Sequence, residues 1–108
     1  MSIDRSVSIV VPDDNPRYLA GTPAEQRLRR IGPVTLYQTA SKDEDELIGR
    51  VRDADVAVCI YSKTLFTDRV LAACPRLRLI SRAGTGLDGI DLDACRRRSV
   101  AARPSSGP

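Results

Sequence analysis

The sequence predicts an α/β fold built on one doubly wound parallel sheet of about five strands. Two observations carry that reading. Short apolar runs of strand length recur along the chain, and each is followed by a stretch that opens with helix-start residues. Strands that alternate with helices in this way pair in parallel. The second observation is residues 77–95, LRLISRAGTGLDGIDLDAC. An apolar run passes through two closely spaced glycines into a helix start, the strand–loop–helix step at which α/β proteins bind ligands. At 108 residues the chain has the length of one domain.

Residues 7–11 form the first strand, closed by Pro12 and the turn formers Asp13, Asp14 and Asn15. Thr22-Pro23-Ala24-Glu25 is a capping box with proline at the first helical position, and Gly32 suits the stop of that helix. Residues 34–37 give a second strand. Ser41 and Glu44 have the spacing of another capping box, after which Leu47, Ile48 and Val51 share one helical face. The continuous apolar run 56–60 fits a central strand covered on both faces. Thr67 caps a short helix that Pro75 ends. A fourth strand leads into the glycine loop, Asp91 caps the next helix, and residues 100–102 suit a fifth strand. The simplest order for such a sheet is flavodoxin-like.

Composition is that of an ordinary globular chain, with 42% hydrophobic and 29% charged residues. The net charge of +3 is concentrated in Arg27, Arg29 and Arg30 and in Arg96, Arg97 and Arg98. Both groups fall near helix ends, where they favour the C-terminal dipole and point to solvent. Only four aromatic residues accompany them, too few for a nucleic-acid surface. The run 7–11 is too short for a signal or a membrane span, so a cytoplasmic setting is expected. Cys59, Cys74 and Cys95 make no C-x-x-C pair and read as small buried residues in a reducing compartment. With no histidine, no metal site is expected.

The glycine loop admits several chemistries. Gly84 and Gly86 let a ligand approach the backbone, free N–H groups and a helix dipole favour an anion, and Arg82 stands at the strand end. GTGLDG is also a literal G-x-G-x-x-G. Against a dinucleotide stand its place after the fourth strand, the carboxylate of Asp88, and the lack of an acid beyond Asp93 for the ribose. A connecting loop whose glycines only turn the chain is a further reading. Asp13 with Asp14 imitates the acidic pair of a phospho-receiver, but the third strand ends on Tyr61 and Ser62 with no carboxylate nucleophile. A non-enzymatic module that binds small anions at Gly84 and Gly86 is the more serious rival.

The segment RAGTGLDGIDLDACRRR, residues 82–98, resembles the signature R-A-G-x-G-x-D-N-I-D-L-x-A-A of D-isomer-specific 2-hydroxyacid dehydrogenases, in their N-terminal substrate domain. The stretch DADVAVCIYSKTLFTDRVLAACPRLRLI before it is similar to the family's strand–helix–strand lead-in, and the likeness runs from residue 43 to 98. Gly89 stands where asparagine is usual, and Ser99 where glycine is usual.

This resemblance implies a substrate-binding domain of flavodoxin-like architecture in an oxidoreductase that uses NAD or NADP. It implies that backbone amides of Ala83, Gly84, Thr85 and Gly86 hold the carboxylate of a 2-hydroxy or 2-keto acid, with Arg82 as a supporting cation. Phosphoglycerate-type members carry an arginine where this chain has Tyr61, which tells against a phosphorylated substrate. Asp88 and Asp91 are expected to shape the loop and cap the helix. The family's arginine, glutamate and histidine lie within or after a nucleotide domain further along the chain. The 108 residues are therefore expected to be an incomplete single domain, a truncated or frameshifted piece, with no catalytic residue of their own. Alone they are expected to bind no cofactor, to transfer no hydride, and to be marginal in stability or self-associating.

Overall fold

The computed structural model describes residues 7–84 and 86–105. In chain order the elements are β1 (Ile9–Val11), α1 (Pro23–Ile31), β2 (Val34–Leu36), α2 (Glu44–Val51), β3 (Val56–Cys59), α3 (Asp68–Ala72), β4 (Leu79–Ala83), α4 (Leu92–Arg97) and β5 (Ala101–Ser105). All five strands pair in parallel in the order β2-β1-β3-β4-β5, the flavodoxin-like sheet that the alternation implies. The chain leaves β1 for β2 on one side and returns to β3 on the other. The topological switch point thus lies between β1 and β3.

β3 is covered on both faces, as its apolar run demands. Ala57 and Cys59 join a core with Leu47, Ile48 and Val51 of α2, Val70 and Leu71 of α3, and Ala94 and Cys95 of α4. Val56 and Val58 pack on the opposite face, where α1 lays Ala24 and Leu28 over Ile9, Val11 and Val34. The three cysteines are free and buried. β5 is an edge strand and contains Pro104, which has no N–H to donate and is tolerated there for that reason.

Helix starts follow the expected chemistry with one correction. Thr22 accepts from Glu25 N–H, and the Glu25 carboxylate reaches back past the cap to accept from Gly21 N–H at 2.8 Å. Thr67 and Asp91 cap α3 and α4. The cap of α2, however, is Asp43 and not Ser41. Asp43 Oδ1 accepts from Glu46 N–H at 2.8 Å, and Glu46 accepts from Lys42 N–H at 2.7 Å. Glu44 is thereby freed to accept from the Thr67 hydroxyl at 2.7 Å and from Arg69, tying α2 to α3. Two overlapping boxes were open to the sequence, and the one with the stronger carboxylate acceptor forms. At the end of α1, a side chain on Gly32 would meet the Val7 carbonyl oxygen at 2.0 Å, so glycine there allows helix and strand to cross closely.

Candidate functional site

At the carboxyl edge of the sheet the switch point is filled by protein. Asp13 and Asp14 follow β1 and are almost wholly buried. Asp13 accepts from the N–H groups of Ile60 and Tyr61, each at 2.9 Å, and from the Thr64 hydroxyl at 2.6 Å. Asp14 accepts from the N–H groups of Tyr18, Leu19 and Ala20 at 2.8, 2.8 and 3.0 Å. The Tyr61 hydroxyl donates to the Pro16 carbonyl and closes the gap from the β3 side. The turn that the sequence assigns to Asp13 and Asp14 is thus the lesser part of their role. Each carboxylate organises a loop, and the longest link spans 51 residues.

One strand over, at the end of β4, the arrangement is open. Ala83 is half-buried in the strand, and Gly84 and Gly86 are exposed. Gly84 has φ 103°, and a Cβ there would meet no atom within 4 Å. Among the described residues, no backbone or side-chain acceptor meets the N–H groups of Gly86, Leu87 and Asp88. Thr85, the remaining member of the expected set, lies outside the described residues. The far end of the loop is pinned. Phe66 N–H donates to the Gly89 carbonyl at 2.8 Å and Asp91 N–H to the Phe66 carbonyl at 2.9 Å.

Arg82 sits beneath this loop. Its residue is 8% exposed, its Nη1 donates to the Asp88 carbonyl at 2.6 Å, and its buried Nε has no hydrogen-bond partner among the described residues. Among the described residues no carboxylate lies within ion-pair distance of it. A buried guanidinium without a counter-anion is costly unless something else supplies the charge. Arg82 therefore braces the loop from below and brings positive charge to it. It shares its register position with Cys59 of β3. Burial, with Asp13 adding to it, pushes the Cys59 thiol far above its ordinary range, and Arg82 opposes this only in part. Cys59 is a protonated packing group, not a nucleophile.

The G-x-G-x-x-G reading fails on geometry. α4 begins only at Leu92, and its cap Asp91 already occupies the Ala94 N–H at 3.0 Å. The third glycine serves packing, because a Cβ on Gly89 would lie 2.4 Å from the Ser62 carbonyl oxygen. These residues do not fit a pyrophosphate at a helix N-terminus. A hollow of about 650 Å³ lies at the amino edge among Asp55, Arg76, Leu77, Arg78 and Ser99. Arg76 is paired there with Asp55, and ligands of open α/β sheets bind beyond the other edge. Among the described residues no three histidine, cysteine or acidic side chains cluster to hold a metal, and no helix is long and apolar enough to cross a membrane.

Residues 16–104 match the family model of the D-isomer specific 2-hydroxyacid dehydrogenase catalytic domain. D-3-phosphoglycerate dehydrogenase of Mycobacterium tuberculosis is 45% identical over 58 residues, which cover 54% of this chain and 11% of that protein. Phosphoglycerate oxidoreductase from Vibrio cholerae superposes with a TM-score of 0.82 at 31% identity, over 94% of this chain and 32% of that one. The NAD⁺-bound 3-phosphoglycerate dehydrogenase of Entamoeba histolytica gives 0.77 at 25% identity, over 94% and 33%. The chain thus spans about a tenth of the curated relative and a third of the solved chains.

Proposed function

The chain belongs to the D-isomer specific 2-hydroxyacid dehydrogenase family, and we propose that within it these residues form the substrate-binding domain, holding a small 2-hydroxy or 2-keto acid at the end of β4. The observation that carries this reading is the open loop above a buried arginine that has no carboxylate partner among the described residues. In this reading backbone N–H groups of Gly84, Gly86 and Leu87 meet an incoming carboxylate, and the largely buried Arg82 supplies charge from beneath the loop. Charge-assisted hydrogen bonds of this kind are short and about twice as strong as neutral ones. Thr85 belongs to the same proposed set.

The reaction of the whole enzyme is the transfer of a hydride between the acid and NAD or NADP. The nicotinamide must be fixed against the substrate carbon, and a base of near-neutral pKa must take the hydroxyl proton. Neither is offered by these 108 residues, which contain no histidine. By itself the chain is an acid-binding unit with no catalytic residue and no cofactor site, in a cytoplasmic setting. Tyr18, Ile31, Leu65 and Leu92 are large apolar side chains left exposed, and self-association is the expected habit of the isolated chain at high concentration. A stand-alone carboxylate-binding module would use the same loop, and the loop geometry favours it equally.

Titrating isotopically labelled protein with pyruvate or glyoxylate, then with NAD, tests the reading. Shifts confined to residues 82–88 are expected with the acids, at millimolar affinity, and none with NAD. Saturable NAD binding at the loop would overturn the assignment of this edge to the acid.

A further inference from the structure

We propose that the hollow at the amino edge of the sheet is a second ligand site, one that takes a phosphate monoester on a compact apolar body. It lies at the opposite end of the sheet from the β4 loop, and it stands independently of the acid reading. The loops that lead into β3, β4 and β5 enclose it, together with Val7 ahead of β1. Its volume of about 650 Å³ is in the range usual for small-molecule sites and exceeds what a bare phosphate fills. Val56, Pro75 and Leu77 give it apolar surface. Arg76, Arg78 and Arg98 line it beside a single carboxylate, Asp55.

Charge decides the class of ligand. Asp55 is already committed, since its Oδ2 accepts from Ser8 N–H at 2.8 Å and pairs with Arg76 at 3.1 Å. Arg98 spends its Nε on Asp68 at 3.1 Å. Among the described residues no carboxylate lies within ion-pair distance of Arg78. Its backbone is nevertheless fixed on both sides: the N–H donates to the Asp55 carbonyl and the carbonyl accepts from Ala101 N–H, each at 2.9 Å. A guanidinium on a fixed backbone offers a planar fork that matches phosphate with two parallel hydrogen bonds. The opposing features are the C-terminal ends of α3 and α4, which lie on this edge and each carry the equivalent of about half a negative charge. Together they offset about one arginine, and Asp55 a second, which leaves the third uncompensated. Ser99 completes the wall. Its backbone is left-handed, φ 59°, a conformation that glycine takes freely and other residues take with strain. In place of a glycine's open turn, serine sets a hydroxyl at the hollow that can donate to a phosphate oxygen.

The experiment titrates the isotopically labelled chain with phenyl phosphate and with inorganic phosphate, followed by amide shifts. Phenyl phosphate is expected to shift Leu77, Arg78 and Ser99 saturably, with the same affinity whether or not pyruvate is present. Arg78→Gln, at an exposed position, is expected to keep the fold and to weaken binding about tenfold, as loss of a charge-assisted fork implies. Arg27→Gln, exposed on α1, is expected to change nothing. Inorganic phosphate is expected to bind several-fold more weakly for want of an apolar body, and equal affinity would overturn the assignment to an ester. Shifts that do not saturate and spread over the exposed arginines of α1 and α4 would overturn the site itself. So would undiminished affinity in Arg78→Gln.

Discussion

The two loops at the carboxyl edge of the sheet are built on opposite plans. At the switch point between β1 and β3, where doubly wound folds commonly take their ligand, Asp13 and Asp14 already bind five backbone N–H groups and the Thr64 hydroxyl. At β4, among the described residues, the donors of Gly86, Leu87 and Asp88 meet no acceptor, and the charge beneath them belongs to a buried arginine with no carboxylate partner. The contrast supports a ligand position one strand over from the switch point, as proposed above. The fold stitches the usual crevice shut with carboxylates and leaves a cationic loop beside it.

The largest expected effect comes from opening the stitched side. Asp13→Ala leaves two backbone N–H groups and the buried Thr64 hydroxyl without an acceptor. At about 1–3 kcal/mol for each orphaned group, reduced by whatever water enters, a loss of roughly 3–4 kcal/mol is expected. Urea unfolding of the variant checks it, and a loss below about 1 kcal/mol would mean that Asp13 only makes a turn.

A pair of alanine substitutions separates packing from binding at the other loop. Gly89→Ala combines φ +86° with a Cβ 2.4 Å from the Ser62 carbonyl, and about 2–3 kcal/mol of stability should go. Gly84→Ala meets only the strain of φ +103°, on the order of 1 kcal/mol, because the space above it is empty. In the proposed site that space receives the carboxylate, so Gly84→Ala is expected to weaken pyruvate binding at least tenfold. Equal losses of stability for the two variants would blur the distinction drawn between the loop's open and pinned ends.

These features differ in how far the sequence shows them. Thr22, Thr67 and Asp91 act within a few residues of themselves, and the alternation of strands with helices is equally local, so caps, sheet type and strand order are legible. The α2 cap was ambiguous because Ser41 and Asp43 both have an acid three residues on. Asp13 read as a turn former because its partners Ile60, Tyr61 and Thr64 come near only after β3 pairs with β1. Arg82 was legible as a cation at a strand end. That it lies under the loop, with Nη1 on the Asp88 carbonyl, depends on alternation along β4 and on the path of the loop, which spacing does not fix. Gly89 matched a cofactor fingerprint for a reason of packing alone.

The smallest effect expected is on the alkaline side and belongs to the core beneath both loops. Burial pushes the Cys74 thiol up to about 11 from an ordinary 9.0. A raised pKa in the folded state stabilises the protein fully below pH 9. That contribution is lost between pH 9 and 11, where the unfolded thiol ionises and the folded one does not. Cys74→Ala should flatten this limb of the stability profile, measured by urea unfolding at several pH values. An unchanged limb would show that the thiol is not what sets it.

Amide hydrogen exchange, with and without pyruvate, tests the contrast of the two loops most directly. The amides of Ile60, Tyr61 and Leu19, bound by carboxylates, are expected to exchange slowly and to ignore the acid. Those of Gly86, Leu87 and Asp88 are expected to exchange fast in the free protein and to slow when pyruvate binds. Fast exchange at Ile60 and Tyr61 that pyruvate suppresses, with no change at residues 86–88, would place the acid at the switch point and contradict the account.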